Sequence, residues 1–152
     1  MDLFYSLWIM LIGSFIIQFL FMSIIMTNST KNITFSVGKF YMSCIMALLM
    51  GLLEVGMHDY YMYNSIVSLP YYLSLIFSLA VFVYLYRNQI YINDKDYLDE
   101  MIEHHSMALL TSGQILEKTQ SDRVRKLAEN IASTQESEIK YMKQLINETI
   151  DK

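Results

Sequence analysis

The residues best equipped for chemistry stand in "EMIEHHSMALL", Glu100 to Leu110, where two adjacent histidines are flanked by methionines and preceded by carboxylates. Imidazole together with thioether suits copper better than magnesium or calcium, which take hard oxygen ligands. On a helix, Leu98, Met101/Ile102, His105, Ala108/Leu109, Ser112 and Leu116 recur at steps of three and four and make one inward stripe. His105 falls on that stripe one turn after Met101. His104 lies about 100° around the helix, at the stripe's edge and one turn after Glu100.

A second stripe follows at the same spacing: Val124, Leu127/Ala128, Ile131, Gln135, Glu138, Met142 and Leu145. Two of its inward positions, Gln135 and Glu138, are polar. If the chain turns near Thr119 and Gln120, facing residues carry numbers that sum to roughly 239. His104 then faces Gln135 and Met101 faces Glu138. Met101, His104, His105, Gln135, Glu138 and Met142 thus form one layer between two helices. An unpartnered carboxylate in an apolar seam costs several kcal/mol. A bound metal ion answers that cost, with Cu(I) favoured over Cu(II) by the thioethers. A histidine across the seam answers it without metal, fixing helix register, and a third reading is a solvated surface patch.

These helices belong to a tail whose composition differs sharply from what precedes it. Arg87 to Lys152 holds nine of the eleven basic and twelve of the fifteen acidic residues. Asn93 or Asp94 can cap a helix running to about Lys118, and Thr119 to Asp122 connects it to a second helix reaching nearly to Lys152. Before the tail, Leu3 to Met26 carries no formal charge over 24 residues, which at about 1.5 Å per residue spans roughly 36 Å and can cross a bilayer. "MDLFYSLWIM" offers no basic start for a cleaved signal, so this segment is expected to stay. Phe40 to Met57 is a second apolar run, interrupted by Glu54; "HDYYMYNS" reads as a short turn; and Ser65 to Tyr86 is a third run with Pro70 near its start. The expected architecture is all-α: a membrane region over residues 1–90 with spans at about 3–26, 40–57 and 65–86, then a soluble two-helix hairpin over 91–152.

Sidedness follows from the basic residues near the span ends. Lys31, Lys39, Arg87 and Lys95 fall on the tail's side of three spans and none on the other, which predicts a cytoplasmic tail. The sequons at Asn28, Asn32 and Asn147 lie on that same side, where glycosylation would mark the exported alternative. Within the second run, Met42, Met46, Met50, Glu54 and His58 follow one another at four-residue steps, and an ionisable group inside a span suggests function, with ordinary helix packing as the plainer reading. Met22 and Met26 stand at the tail-side end of the first span and could join Met42 as a further soft-ligand patch.

Other chemistries find little support. The formal net charge of −4 and the lack of a basic cluster with interleaved aromatics argue against nucleic acid. Cys44 stands alone, so no disulfide framework can be inferred. The sequence has no Gly-rich phosphate loop, C-x-x-C, H-E-x-x-H or Gly-x-Ser-x-Gly motif. Neither catalytic turnover nor a small-molecule substrate is expected.

The two quoted helices also resemble a known family. "YLDEMIEHHSMALLTS" and "LAENIASTQESEIKYMKQL", with M-I-x-H-H in the first and I-x-x-x-Q-x-x-E-I-x-x-M in the second, are similar to domain of unknown function 305, a ferritin-like helical module. The resemblance covers about Asn93 to Lys152 and extends more weakly over "YMSCIMALLM" and "MYNS", which are similar to the methionine-rich membrane spans of some members. It implies copper binding and copper tolerance, with Met101, His104, His105, Glu138 and Met142 as the carried-over positions. Members commonly have proline before the histidine pair; Glu103 stands there instead, removing a kink and adding a carboxylate. Copper-associated members are often exported, against the charge pattern. A hairpin of this size has little core of its own, so it is expected to pair with a second copy as a four-helix bundle or to dock on membrane helices.

Overall fold

The computed structural model describes residues 2–62 and 65–150, and every regular element among them is helical. Asp2 caps the first helix, α1 (Leu3–Ile16), its carboxylate accepting from Phe4 N at 3.3 Å. The helix continues through one π-helical turn (Ile17–Phe21) into α2 (Met22–Met26). α3 spans Val37–Met62 and α4 spans Ser65–Arg87. Three stretches are long and apolar enough to cross a membrane: Leu3–Met26, Val37–Tyr61 and Ser68–Arg87. The second is longer than its apolar run because no helix breaker stands where hydropathy falls. His58 to Met62 are accordingly helical rather than a turn, and Tyr63 and Asn64 of the expected turn lie outside the described residues.

By packing, the chain divides into two units, Met1–Met22 with Val37–Tyr91 and Ser23–Ser36 with Ile92–Lys152. In the first, Leu3, Leu7, Val55 and Leu75 make a core flanked by Leu11, Leu48 and Leu52. Gly51 sits where three leucines converge: a Cβ there would lie 2.8 Å from Leu11 Cδ2, 3.3 Å from Leu7 Cδ1 and 3.4 Å from Leu75 Cδ2. A residue without a Cβ is what lets the three leucines approach this closely. α4 ends in a tight turn with Gln89 and Tyr91 in the left-handed region (φ 52° and 60°), and Tyr41 donates to Ile90 O at 3.0 Å.

In the second unit, Asn93 caps α5 (Asp94–Leu116) through a reciprocal pair with Asp96. Arg125, in the first turn of α6 (Asp122–Ile150), donates to Leu116 O and Thr119 O at 3.2 and 3.0 Å. It thereby satisfies carbonyls that the end of α5 leaves open. The seam between the two helices is Ile102, Ile139 and Met142, with Leu98, Met101, Leu109 and Ile146 around it. The segment 23–36, which takes in the end of the first apolar run and most of the polar stretch Thr27 to Lys39, belongs to this unit; it contains one 3-10 turn, Thr30–Asn32, capped by Ser29.

Candidate functional site

The histidine pair divides as helical geometry requires. His104 is exposed, and His105 is half-buried. His105 Nδ1 lies 2.7 Å from Met101 O and its Nε2 lies 2.8 Å from Glu138 Oε2. A carbonyl oxygen can only accept, so Nδ1 carries hydrogen, and in the neutral ring Nε2 presents a lone pair. A lone pair facing a carboxylate oxygen at 2.8 Å requires a shared proton or a cation between them. Gln135 completes the group, its Nε2 at 3.5 Å from the same Glu138 oxygen.

The register differs from the expected one by a helical turn. Glu138 meets His105, not Met101. The short turn sets the backbone register, and side chains then lean toward the N-terminus of their own helix. In an antiparallel pair, His105 leans away from the hairpin turn and Glu138 leans toward it, so they meet one turn beyond the backbone register. Glu138 also sits at the rim, its side chain 49% exposed, rather than inside the seam. Its desolvation cost is correspondingly smaller than an inward position would impose. Met142 is buried against Ile102 and Ile139, with Met101 packed on the same cluster. The structure therefore brings Met101, His105, Gln135 and Glu138 together, keeps Met142 in the adjoining core, and leaves His104 apart. Among the described residues, no three His, Cys, Asp or Glu side chains are gathered as a metal-holding group.

A second polar cluster escaped the periodicity argument. On another face of α5, Asp99, Glu103 and Ser106 are buried; the Asp99 carboxylate pairs with Lys95 one turn earlier, while its carbonyl and the Glu103 and Ser106 side chains meet the segment 23–36. Glu103, 6% exposed, accepts from Ser23 Oγ at 2.5 Å and from Thr34 N at 3.1 Å. Thr34 Oγ1 donates to Asp99 O at 2.6 Å. Ser106, fully buried, accepts from Asn28 N at 3.1 Å and from Asn32 Nδ2 at 3.2 Å, and donates to Asn28 Oδ1 at 2.8 Å. Lys143 Nζ reaches Asn32 Oδ1 at 2.5 Å. The available signal was the run of short hydrogen-bonding side chains in "TNSTKNIT" and the spacing of Asp99, Glu103 and Ser106 on one helix face.

Along α3, Met42 and Met46 are exposed, while Met50, Glu54 and His58 are half-buried. His58 Nδ1 is buried without a hydrogen-bond partner, 3.9 Å from Asp59 Oδ1, and Asp59 itself accepts from Ser68 Oγ.

Fold and site together define an all-helical protein with three helices of membrane-crossing length and a hairpin unit carrying an oriented His–Glu pair. Residues 91–150 match the family model described as Domain of unknown function (DUF305). The chain is similar to the uncharacterized protein L153 of Acanthamoeba polyphaga mimivirus, 31% identical over 140 residues that cover 92% of this chain and 90% of that one. The chain belongs to the family of that viral protein, with its DUF305 domain in the hairpin. No solved structure matches it.

Proposed function

We propose that this is a multi-pass membrane protein whose helical hairpin binds copper, in storage, sensing or detoxification, without catalytic turnover. The observation that carries the reading is the orientation of His105. Its Nδ1–H is held by Met101 O and its Nε2 lone pair is aimed at a carboxylate, as outer hydrogen bonds orient ligating imidazoles generally. The donor set suits the ion: imidazole and carboxylate from His105 and Glu138, with thioethers from Met101 and Met142 in the adjoining packing. His104, on the outer face, would serve a bound ion through a second chain or a rotated side chain. The copper association of the resembled family points the same way, as does its ferritin-like module, which a second copy of the hairpin would complete as a four-helix bundle. The basic residues near the span ends put the hairpin on the cytoplasmic side in this reading, with export as the alternative.

A non-metal assembly role is the second reading. It is favoured by an open apolar groove between the helices near the hairpin turn, lined by Ile115, Val124, Leu127, Ala128 and Ile131, with Leu127 59% exposed. There the His105–Glu138 pair would simply share a proton and set register.

The test is a Cu(I) competition titration of the full chain in detergent, beside His105→Ala, Glu138→Gln and Met101→Leu, with oligomeric state recorded in parallel. Binding that falls by about 10- to 100-fold in His105→Ala and Glu138→Gln supports the metal role. A greater loss for Cu(I) than for Cu(II) in Met101→Leu assigns a thioether ligand. No binding, with an unchanged dimer, supports the assembly role instead.

A further inference from the structure

The surface of the hairpin unit carries an open cavity of about 420 Å³, bordered by Asn28, Ser29 and Asn32 from the 23–36 segment and by Lys140 and Lys143 from α6, with Asn28 and Lys140 exposed. Its chemistry follows from one fixed orientation. An ammonium can only donate, so the 2.5 Å contact with Lys143 Nζ sets Asn32 Oδ1 toward the lysine. Asn32 Nδ2 is thereby turned to Asn28 Oδ1 and Ser106 Oγ, both at 3.2 Å. Asn28 Oδ1 also accepts from Ser106 Oγ, which leaves Asn28 Nδ2 as a donor with no partner among the described residues.

The remaining cavity groups have the same polarity. Lys143 touches only neutral oxygens, Asn32 Oδ1 and Lys31 O, and has no carboxylate at ion-pair distance among the described residues. Ser29 Oγ accepts from Lys31 N at 3.3 Å, and its hydroxyl hydrogen has no acceptor among the described residues. Glu136, the cavity's one carboxylate, is already answered by Lys140 at 2.8 Å, which leaves that ammonium two further N–H groups. Leu109 and Ile139 supply an apolar wall.

The geometry points to an anion site for a phosphate group, met by Lys143, Lys140, Asn28 and Ser29. Phosphate presents acceptor oxygens in several directions about one compact centre, which suits donors that converge from two separate stretches of chain better than a planar carboxylate does. The apolar wall suits an esterified phosphate. Asn28 and Ser29 follow Met26, the end of a membrane-length helix, by two and three positions. A lipid headgroup and a free phosphate are therefore the two sources to separate.

Thermal unfolding of the full chain in nonionic detergent tests this, titrated with inorganic phosphate or short-chain phosphatidylglycerol against chloride at matched ionic strength. Lys143→Gln keeps a donor for Asn32 while removing the charge, and is expected to raise the dissociation constant about tenfold with helicity unchanged. Should that variant fail to fold, Lys140→Gln asks the same question without touching Asn32. Saturable stabilisation by phosphate assigns a free anion, and stabilisation by the lipid alone assigns a headgroup. A shift no larger than that of chloride, or folded variants that bind as tightly as the native chain, would overturn the site.

Discussion

Glu103 and Ser23, eighty positions apart in the chain, meet at 2.5 Å through carboxylate and hydroxyl. The same carboxylate receives Thr34 N, so one side chain secures both ends of the 23–36 segment. Glu103→Ala leaves buried Ser23 without its acceptor and is expected to lower stability by about 2–4 kcal/mol, whereas Ser23→Ala costs about 1–2 kcal/mol. Denaturant unfolding of the hairpin unit, with proteolysis of the 23–36 segment as a local readout, checks both values. Equal effects would mean that Thr34 contributes little.

Ile102 is the most buried large side chain of the hairpin seam, 2% exposed. Its truncation removes packing against Ile139 and Met142 that no neighbour can restore. Ile102→Ala is expected to cost about 2–5 kcal/mol, and Tyr141→Ala, on the exposed face, about 0.5 kcal/mol or less. Thermal unfolding should separate the two clearly, and similar midpoints would mean that the helices are not joined along this seam.

Gly51 and Gly56 lie on one helix yet should respond oppositely to alanine. At Gly51 the new methyl group meets Leu11 at 2.8 Å, with Leu7 and Leu75 close behind, so the variant is expected to lose about 1–3 kcal/mol by overpacking. At Gly56 the nearest atom, Tyr72 Oη, is 3.7 Å away. Gly56→Ala should therefore be neutral or gain up to about 1 kcal/mol from helix propensity. Unfolding of both variants in the same detergent measures the contrast.

The carboxyl of Glu136 is held below its ordinary range, first by the hydrogen bond from Lys140 and then by that lysine's charge. A depressed carboxylate stabilises the fold above its unfolded pKa, and this contribution is lost as pH falls through the lower folded value. Both side chains are largely exposed, so salt should weaken the pair. Carboxyl carbon shifts followed by NMR should show Glu136 titrating at lower pH than in Lys140→Gln, with the difference shrinking at high salt.

Much of this was legible in the residues alone. Apolar runs of sufficient length identified the membrane-length helices, because backbone hydrogen bonding within a helix and apolar side chains are purely local properties. The cap at Asn93, the break between α5 and α6, and the inward phase of His105 follow from spacing for the same reason. That a histidine could answer Glu138 across the seam was also legible, but which of the two histidines does so was not. It depends on how two separate helices are offset and on which way each side chain leans, quantities that no single stretch contains.

The polar unit around Glu103 was hidden for a related cause. Periodicity marks apolar faces, and a face built from Asp99, Glu103 and Ser106 reads as solvated surface until its partners are known. Those partners come from Ser23 to Thr34, about seventy to eighty residues away. The residues alone marked the apolar stretches, the two helices of the hairpin and the side of α5 that Ile102 and His105 occupy. Tertiary packing settled that His105 meets Glu138 and that Asn28, Asn32 and Lys143 border one open cavity. Burial of a polar group is set by what docks against it, and that docking is nonlocal.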